Sequence, residues 1–179
     1  MPNTKKNTVK TILPEVMRDL LHQKSFNKIS VNELCQTASI SRSSFYANFR
    51  DKYDLLSYCL NEQRGKLESL FHSHSAKDLL TIMLNLIQEE SRFFYHAFGD
   101  SFDEEVGEIF YKFFSEPFNT LLQEKIQQGA TFLVPVEYVS AFYIGGLNSM
   151  ILRWIKSNYS ISKEELATCQ YQLLKDFIE

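Results

Sequence analysis

The sequence predicts an all-α protein with a short amino-terminal domain and a longer helical body. Three observations carry this. Apolar residues recur at three- and four-residue spacing, the period of a helix with one buried face, and no segment keeps the alternation of a strand. Helix-starting pairs of a hydroxyl and an acid three residues later punctuate the chain. With 44% hydrophobic residues and only six Gly and four Pro among 179 positions, the composition is that of a globular chain with ample core.

The predicted helices run over 4–24, 30–38, 42–49, 52–72, 76–98, 103–113, 116–128, 135–157 and 162–178. Ser30 and Glu33 form a capping box that opens the second, whose stripe is Leu34, Cys35 and Ala38. Ser39-Ile40 leaves room only for a tight turn, with Ile40 filling the angle between two helices. Ser41 caps the third helix, where Phe45 and Phe49, four apart, point inward. Its outward face therefore holds Arg42, Ser43, Tyr46 and Ala47, with Asn48 at the flank. Hydroxyl, basic and aromatic groups so displayed suit a DNA groove and its phosphates. The fourth helix carries the domain boundary, giving a candidate DNA-binding head over 1–54 and a helical body over 55–179. Ser75 with Asp78 starts the fifth helix, Gly129 stops the seventh, Pro135 suits a first turn, and Ser162 with Glu165 makes a second capping box.

Charge is distributed unevenly. Residues 1–60 carry nine Lys+Arg against five acids, a balance of +4, while the other 119 carry ten against seventeen, or −7; the total is −3. A basic end on an acidic body orients a chain on DNA, although halves of any chain differ by a few units without function.

The segments Ile29-Ser30-Val31, Ala38-Ser39-Ile40-Ser41 and Ser44-Phe45-Tyr46-Ala47-Asn48-Phe49-Arg50-Asp51-Lys52 resemble the TetR/AcrR family of transcriptional regulators, whose first three helices form a helix-turn-helix domain. The resemblance implies base or phosphate contact for Asn32, Arg42, Ser43, Ser44, Tyr46, Ala47 and Asn48, with Lys52 holding a phosphate from the start of helix four. Two positions depart from the family. Gly is usual where Ser39 stands, so the turn either holds Ser in a left-handed conformation at some cost or is built differently. His is common where Asn48 stands.

In the body, residues 93–118 hold ten aromatics in 26 positions. Two readings stand: a Phe-rich core, or a cavity for an apolar or aromatic molecule lined by Phe94, Phe98, Phe110, Phe114 and Phe118. Asp100, Asp103, Glu104, Glu105 and Glu108 fit a solvated loop and helix start. Further on, Ala141, Gly145 and Ser149 recur every four residues, a stripe along which another helix can approach. The last helix adds Leu166, Cys169, Leu173 and Phe177, a stripe that Leu174 and Ile178 widen. Both helices either complete the monomer's core or meet their copies. The TetR resemblance implies the second, with Ala141, Gly145, Ser149, Leu166, Leu173 and Phe177 in a homodimer interface. The run from Gly145-Gly146 through Arg153-Trp154-Ile155 to Ser162-Lys163-Glu164-Glu165 is similar to the carboxy-terminal domain of such regulators from low-GC Gram-positive bacteria.

The resemblance implies a homodimeric repressor on a palindromic double-stranded operator, released by a small-molecule effector. The alternative is an activator or co-regulator whose body binds a partner protein. No catalytic residue or cofactor is expected, because no nucleophile elbow or Gly-rich phosphate loop occurs. His72 and His74 diverge on a helix end without a third ligand, so no metal is expected. Cys35, Cys59 and Cys169 are odd in number and set among apolar residues, as reduced core thiols are. A polar amino terminus and a longest apolar stretch, 138–152, short of about 20 residues predict a soluble cytoplasmic protein.

Overall fold

A computed structural model describes residues 3–65, 76–100 and 103–178. Most of the described residues are helical, and none of them lies in a strand. The helices are α1 (Asn3–Leu21), α2 (Val31–Thr37), α3 (Arg42–Tyr46), α4 (Lys52–Gly65), α5 (Ala76–Glu89), α6 (Ser91–Phe94), α7 (Glu104–Gln127), α8 (Val136–Lys156) and α9 (Lys163–Ile178), with a 3₁₀ turn at Phe26–Lys28 and a π turn at Tyr95–Gly99. They form two compact units, residues 1–66 with 92–109, and 67–91 with 110–179.

In the first unit α1 packs on α4, burying Leu13, Met17 and Leu21 with Leu55, Leu56 and Cys59. Phe45 and Phe49 are buried, as their four-residue spacing requires. Each buried Phe or Leu contributes about 1.5–3 kcal/mol of transfer free energy. Residues 92–109 return to this unit through buried Phe93, Phe94, Phe98 and Val106. Their polar ties are specific: Ser25 Oγ donates to Asp100 (2.6 Å), His96 Nδ1 to the Leu21 carbonyl (2.7 Å) and the Tyr53 hydroxyl to Asp103 (2.9 Å). The expected single helix over 76–98 is interrupted. α5 ends at Glu89, and the Asp100 amide reaches back five residues to the Tyr95 carbonyl (3.2 Å).

In the second unit α9 packs on α5 and α8. Phe118, Leu122, Ile144 and Leu174 form its buried centre. The two helices expected at 103–113 and 116–128 are one, α7, which runs through Pro117. Proline forfeits one backbone donor there, a local cost that the packing of Phe113, Phe114, Phe118 and Leu122 outweighs. The α9 stripe is also rotated from the expected one: Leu166, Ala167, Gln170 and Leu174 are buried, while Cys169 and Leu173 are exposed. Cys169 is therefore no core thiol. Cys35 and Cys59 are, and burial pushes the Cys59 thiol up to about 12.

Three helices end alike. Beyond α2, α7 and α8 the chain closes with a pair of reversed bonds: Ser39 to Gln36 and Ile40 to Cys35, Gly129 to Ile126 and Ala130 to Lys125, Asn158 to Ile155 and Tyr159 to Trp154. Such an ending places a residue in left-handed backbone, here Ser39 (φ 53°), Gly129 (φ 94°) and, after α8, both Asn158 (φ 52°) and Tyr159 (φ 61°). Gly129 adopts it freely, Asn tolerates it, and Ser39 and Tyr159 are held there at a cost.

Candidate nucleic-acid interface and body cavity

The geometry of α2 and α3 follows from their caps. Ser30 Oγ accepts from the Glu33 amide (3.2 Å) and Ser41 Oγ from the Ser44 amide (3.1 Å), so each short helix starts at a fixed residue. Ser39 takes the left-handed position between them, the first of the two alternatives open at that turn. Burial of Phe45 fixes the rotation of α3, and Arg42, Ser43, Tyr46 and Ala47 consequently face solvent. Tyr46 is 49% exposed, with the Arg42 guanidinium 5.9 Å from its ring centre. Asn32 on α2 is also exposed.

The remaining predicted residues are turned partly inward. Ser44 is half-buried and its hydroxyl lies 2.9 Å from that of Ser41. Asn48 Nδ2 donates to the Ser44 carbonyl (2.8 Å). The Lys52 ammonium donates to the carbonyls of Phe26 and Ile29 (3.0 Å each) and lies 4.4 Å over the Phe26 ring. Burial lowers its pKa, against the opposing charge of Asp103. Beside it Asp51 caps α4, accepting from the amides of Tyr53 (3.0 Å) and Asp54 (2.8 Å) and from Arg50 Nε (2.8 Å).

The five aromatics named as a candidate pocket are divided between the two units. Phe94 and Phe98 are buried in the first unit, where their ring centres lie 6.1 Å apart. Phe110 and Phe114 pair at 4.6 Å in the second. Only Phe114 and Phe118 line the second unit's cavity of about 60 Å³, whose walls also include Leu79 and Leu84 of α5, Ile151 of α8 and Leu174 of α9. Two amides, Asn148 and Gln170, join this apolar lining. Asn148 Nδ2 donates to the Tyr111 carbonyl and Ser115 Oγ (3.4 Å each). Sequence reasoning missed Gln170, although its spacing of four from Leu166 and Leu174 marks the buried face of α9.

On α8, Tyr138 and Phe142 are 67% and 75% exposed, and Ala141 and Ser149 are exposed on the same face, with Gly145 half-buried. A β-carbon added at Gly145 would meet nothing within 4 Å. On α9, Leu173 is exposed and Leu166 buried in the core of its own unit. The Phe177 side chain, like His72, His74, Ser75 and Phe102, lies outside the described residues. No described helix is long and apolar enough to cross a membrane.

An all-helical chain with a capped helix-turn-helix ahead of a larger helical unit has the architecture of a bacterial transcriptional regulator. Residues 15–59 match the family model for bacterial regulatory proteins of the tetR family, and residues 74–176 match that for a transcriptional regulator C-terminal region. The chain belongs to the TetR family. A curated relative, the HTH-type dhaKLM operon transcriptional activator DhaS of Lactococcus lactis, is 26% identical over 98 residues; the match spans 54% of this chain and 52% of that protein. Among solved structures, the dihydroxyacetone kinase operon activator DhaS superposes with a TM-score of 0.67 at 19% identity, covering 95% of this chain and 96% of that one. A TetR transcriptional regulator from Streptococcus agalactiae gives 0.71 at 16% identity, covering 94% of each chain. These likenesses share the fold.

Proposed function

We propose that this chain is a sequence-specific DNA-binding transcriptional regulator that acts as a homodimer on a near-palindromic operator. The observation that supports it most is the display of Arg42, Ser43, Tyr46 and Ala47 on one face of a helix whose Phe45 is buried. In this reading α3 enters the major groove. Asn32 and Ser44 approach the phosphates, Asn48 works at the flank, and Lys52 offers its remaining N–H to a phosphate. One such helix supplies a few base contacts of about 1–3 kcal/mol discrimination each, too few to single out one site in a genome. Two heads about 34 Å apart suffice, and a two-fold dimer then demands a two-fold operator. The exposed face of Tyr138, Ala141, Phe142, Gly145 and Ser149, with Leu173 on α9, is the surface through which we join the copies.

Release by a small effector in the body is the repressor reading. The second reading, activation, is favoured by the name of the Lactococcus lactis relative, an operon activator. Fluorescence anisotropy on a selected duplex tests the DNA-binding proposal. Arg42→Ala with Tyr46→Ala is expected to abolish sequence preference while leaving the melting temperature within a few degrees. Unchanged preference would overturn it.

A further inference from the structure

The cavity of the second unit contains an anomaly. Gln170 is 0% exposed, and neither its Nε2 nor its Oε1 has a hydrogen-bond partner among the described residues. Buried amides are almost always paired, because an unpaired one keeps the full cost of leaving water. Gln170 lines a cavity of about 60 Å³ that is otherwise apolar apart from Asn148. No charged residue lines it.

We propose that this cavity binds a small uncharged molecule, or the uncharged end of a larger one, that carries a hydrogen-bond donor and acceptor together, as a hydroxyl or carboxamide does. A primary amide presents one donating and one accepting edge, so Gln170 completes both bonds with one such group. The walls of Leu84, Phe114, Ile151 and Leu174 take its hydrocarbon part. An ionised carboxylate or ammonium is disfavoured, since nothing in the lining pairs with a charge. Size sets a second limit: a cavity of about 150 Å³ holds the six carbons of benzene, so this one encloses roughly two to three non-hydrogen atoms and the rest of a ligand extends outward. The proposal names the chemical class of the effector in the repressor reading above and rests on that reading only for its regulatory consequence.

The test uses acetamide, 2-propanol and the isosteric charged probe acetate, with xenon as an apolar control, on the full chain with methyl-labelled Leu and Ile. Acetamide and 2-propanol are expected to shift the Leu84 and Ile151 methyl signals saturably, and acetamide to move the Gln170 side-chain amide resonance; acetate should do neither. Gln170→Met should weaken acetamide at least about tenfold while xenon still binds. The Gln170 resonance keeps the test decisive if that variant fails to fold. Equal binding of acetate, an unmoved Gln170 resonance, or no binding by either neutral probe would overturn the proposal. Operator affinity is measured on the same samples. Binding without a change in operator affinity leaves the cavity assignment standing and removes the effector reading; operator binding without probe binding removes the cavity assignment and leaves the DNA-binding proposal standing.

Discussion

The Lys52 ammonium closes the loop that contains Phe26: it donates to the Phe26 carbonyl at 3.0 Å and sits 4.4 Å above the same residue's ring. It therefore acts as a strut inside the domain before it meets any phosphate. Charge-assisted hydrogen bonds contribute about 1.5–3 kcal/mol each and a partly buried cation–π contact about 1 kcal/mol, less the cost of burying the ammonium. Lys52→Ala is predicted to destabilise the chain by about 1–3 kcal/mol in urea unfolding without DNA. An unchanged midpoint would assign Lys52 to the surface.

Arg42 and Tyr46 should behave in the opposite way. Both are exposed, and only the Tyr46 ring touches the core, meeting buried Phe45 edge-on at 5.4 Å. Arg42→Ala and Tyr46→Ala are each expected to cost about 1–3 kcal/mol of operator binding, with stability changed by less than about 0.5 kcal/mol for Arg42→Ala and by about 0.5–1.5 kcal/mol for Tyr46→Ala. Paired binding and unfolding curves separate the two effects.

These contrasts show what was legible in the sequence. The starts of α2, α3 and α9 were readable because a cap lies within three residues of its partner, as Ser162 and Glu165 show by exchanging both bonds (2.9 and 3.2 Å). The outward face of α3 followed from Phe45 and Phe49 alone. The inward turn of Lys52 was not readable, since its acceptors lie 26 and 23 residues away. Nor was the buried face of α9: hydropathy selected Cys169 and Leu173, whereas the fold buries Gln170. The aromatic run from 93 to 118 divides between two units, which spacing along one helix cannot disclose.

Ser39 carries strain that glycine would relieve. A non-glycine residue in left-handed backbone costs on the order of 1–2 kcal/mol, and glycine's greater unfolded-state freedom returns about 0.5–1 kcal/mol. Ser39→Gly is predicted to stabilise the chain by up to about 1 kcal/mol. Destabilisation beyond about 0.5 kcal/mol in urea unfolding would contradict this.

Gly145→Ala separates the monomer from the proposed dimer. With open space at its β-carbon, alanine should raise helix stability by about 0.5–1 kcal/mol in a lone chain. Where another helix packs along Ala141, Gly145 and Ser149, the same methyl should weaken association. Sedimentation equilibrium is expected to show weaker dimerisation for Gly145→Ala and monomers for Phe142→Glu. Association unchanged in both would move the interface elsewhere.

Asp51 gives the acid limb of stability a sign. Burial raises its carboxyl, but hydrogen bonds from the Asp54 amide and Arg50 side chain, the Arg50 charge, and the Tyr53 amide together hold it below the ordinary value. The unfolded chain thus binds the proton more tightly. The contribution is fully present above pH ~4 and is lost as pH falls through the lowered folded value. Asp51→Asn, which keeps a cap but not the charge, should flatten the melting-temperature profile in that window. A wild-type slope in the variant would contradict the assignment.

The central claim is that the solvent face of α3 reads DNA sequence in a two-fold assembly. Selection of bound duplexes from a random library, at near-physiological salt and with the mass in solution recorded, tests it most directly. The account predicts a dimer and enrichment of a near-palindrome whose half-sites lie about one helical turn apart. Sequence-blind, salt-sensitive binding, retained when Arg42 and Tyr46 are both replaced by Ala, would contradict it.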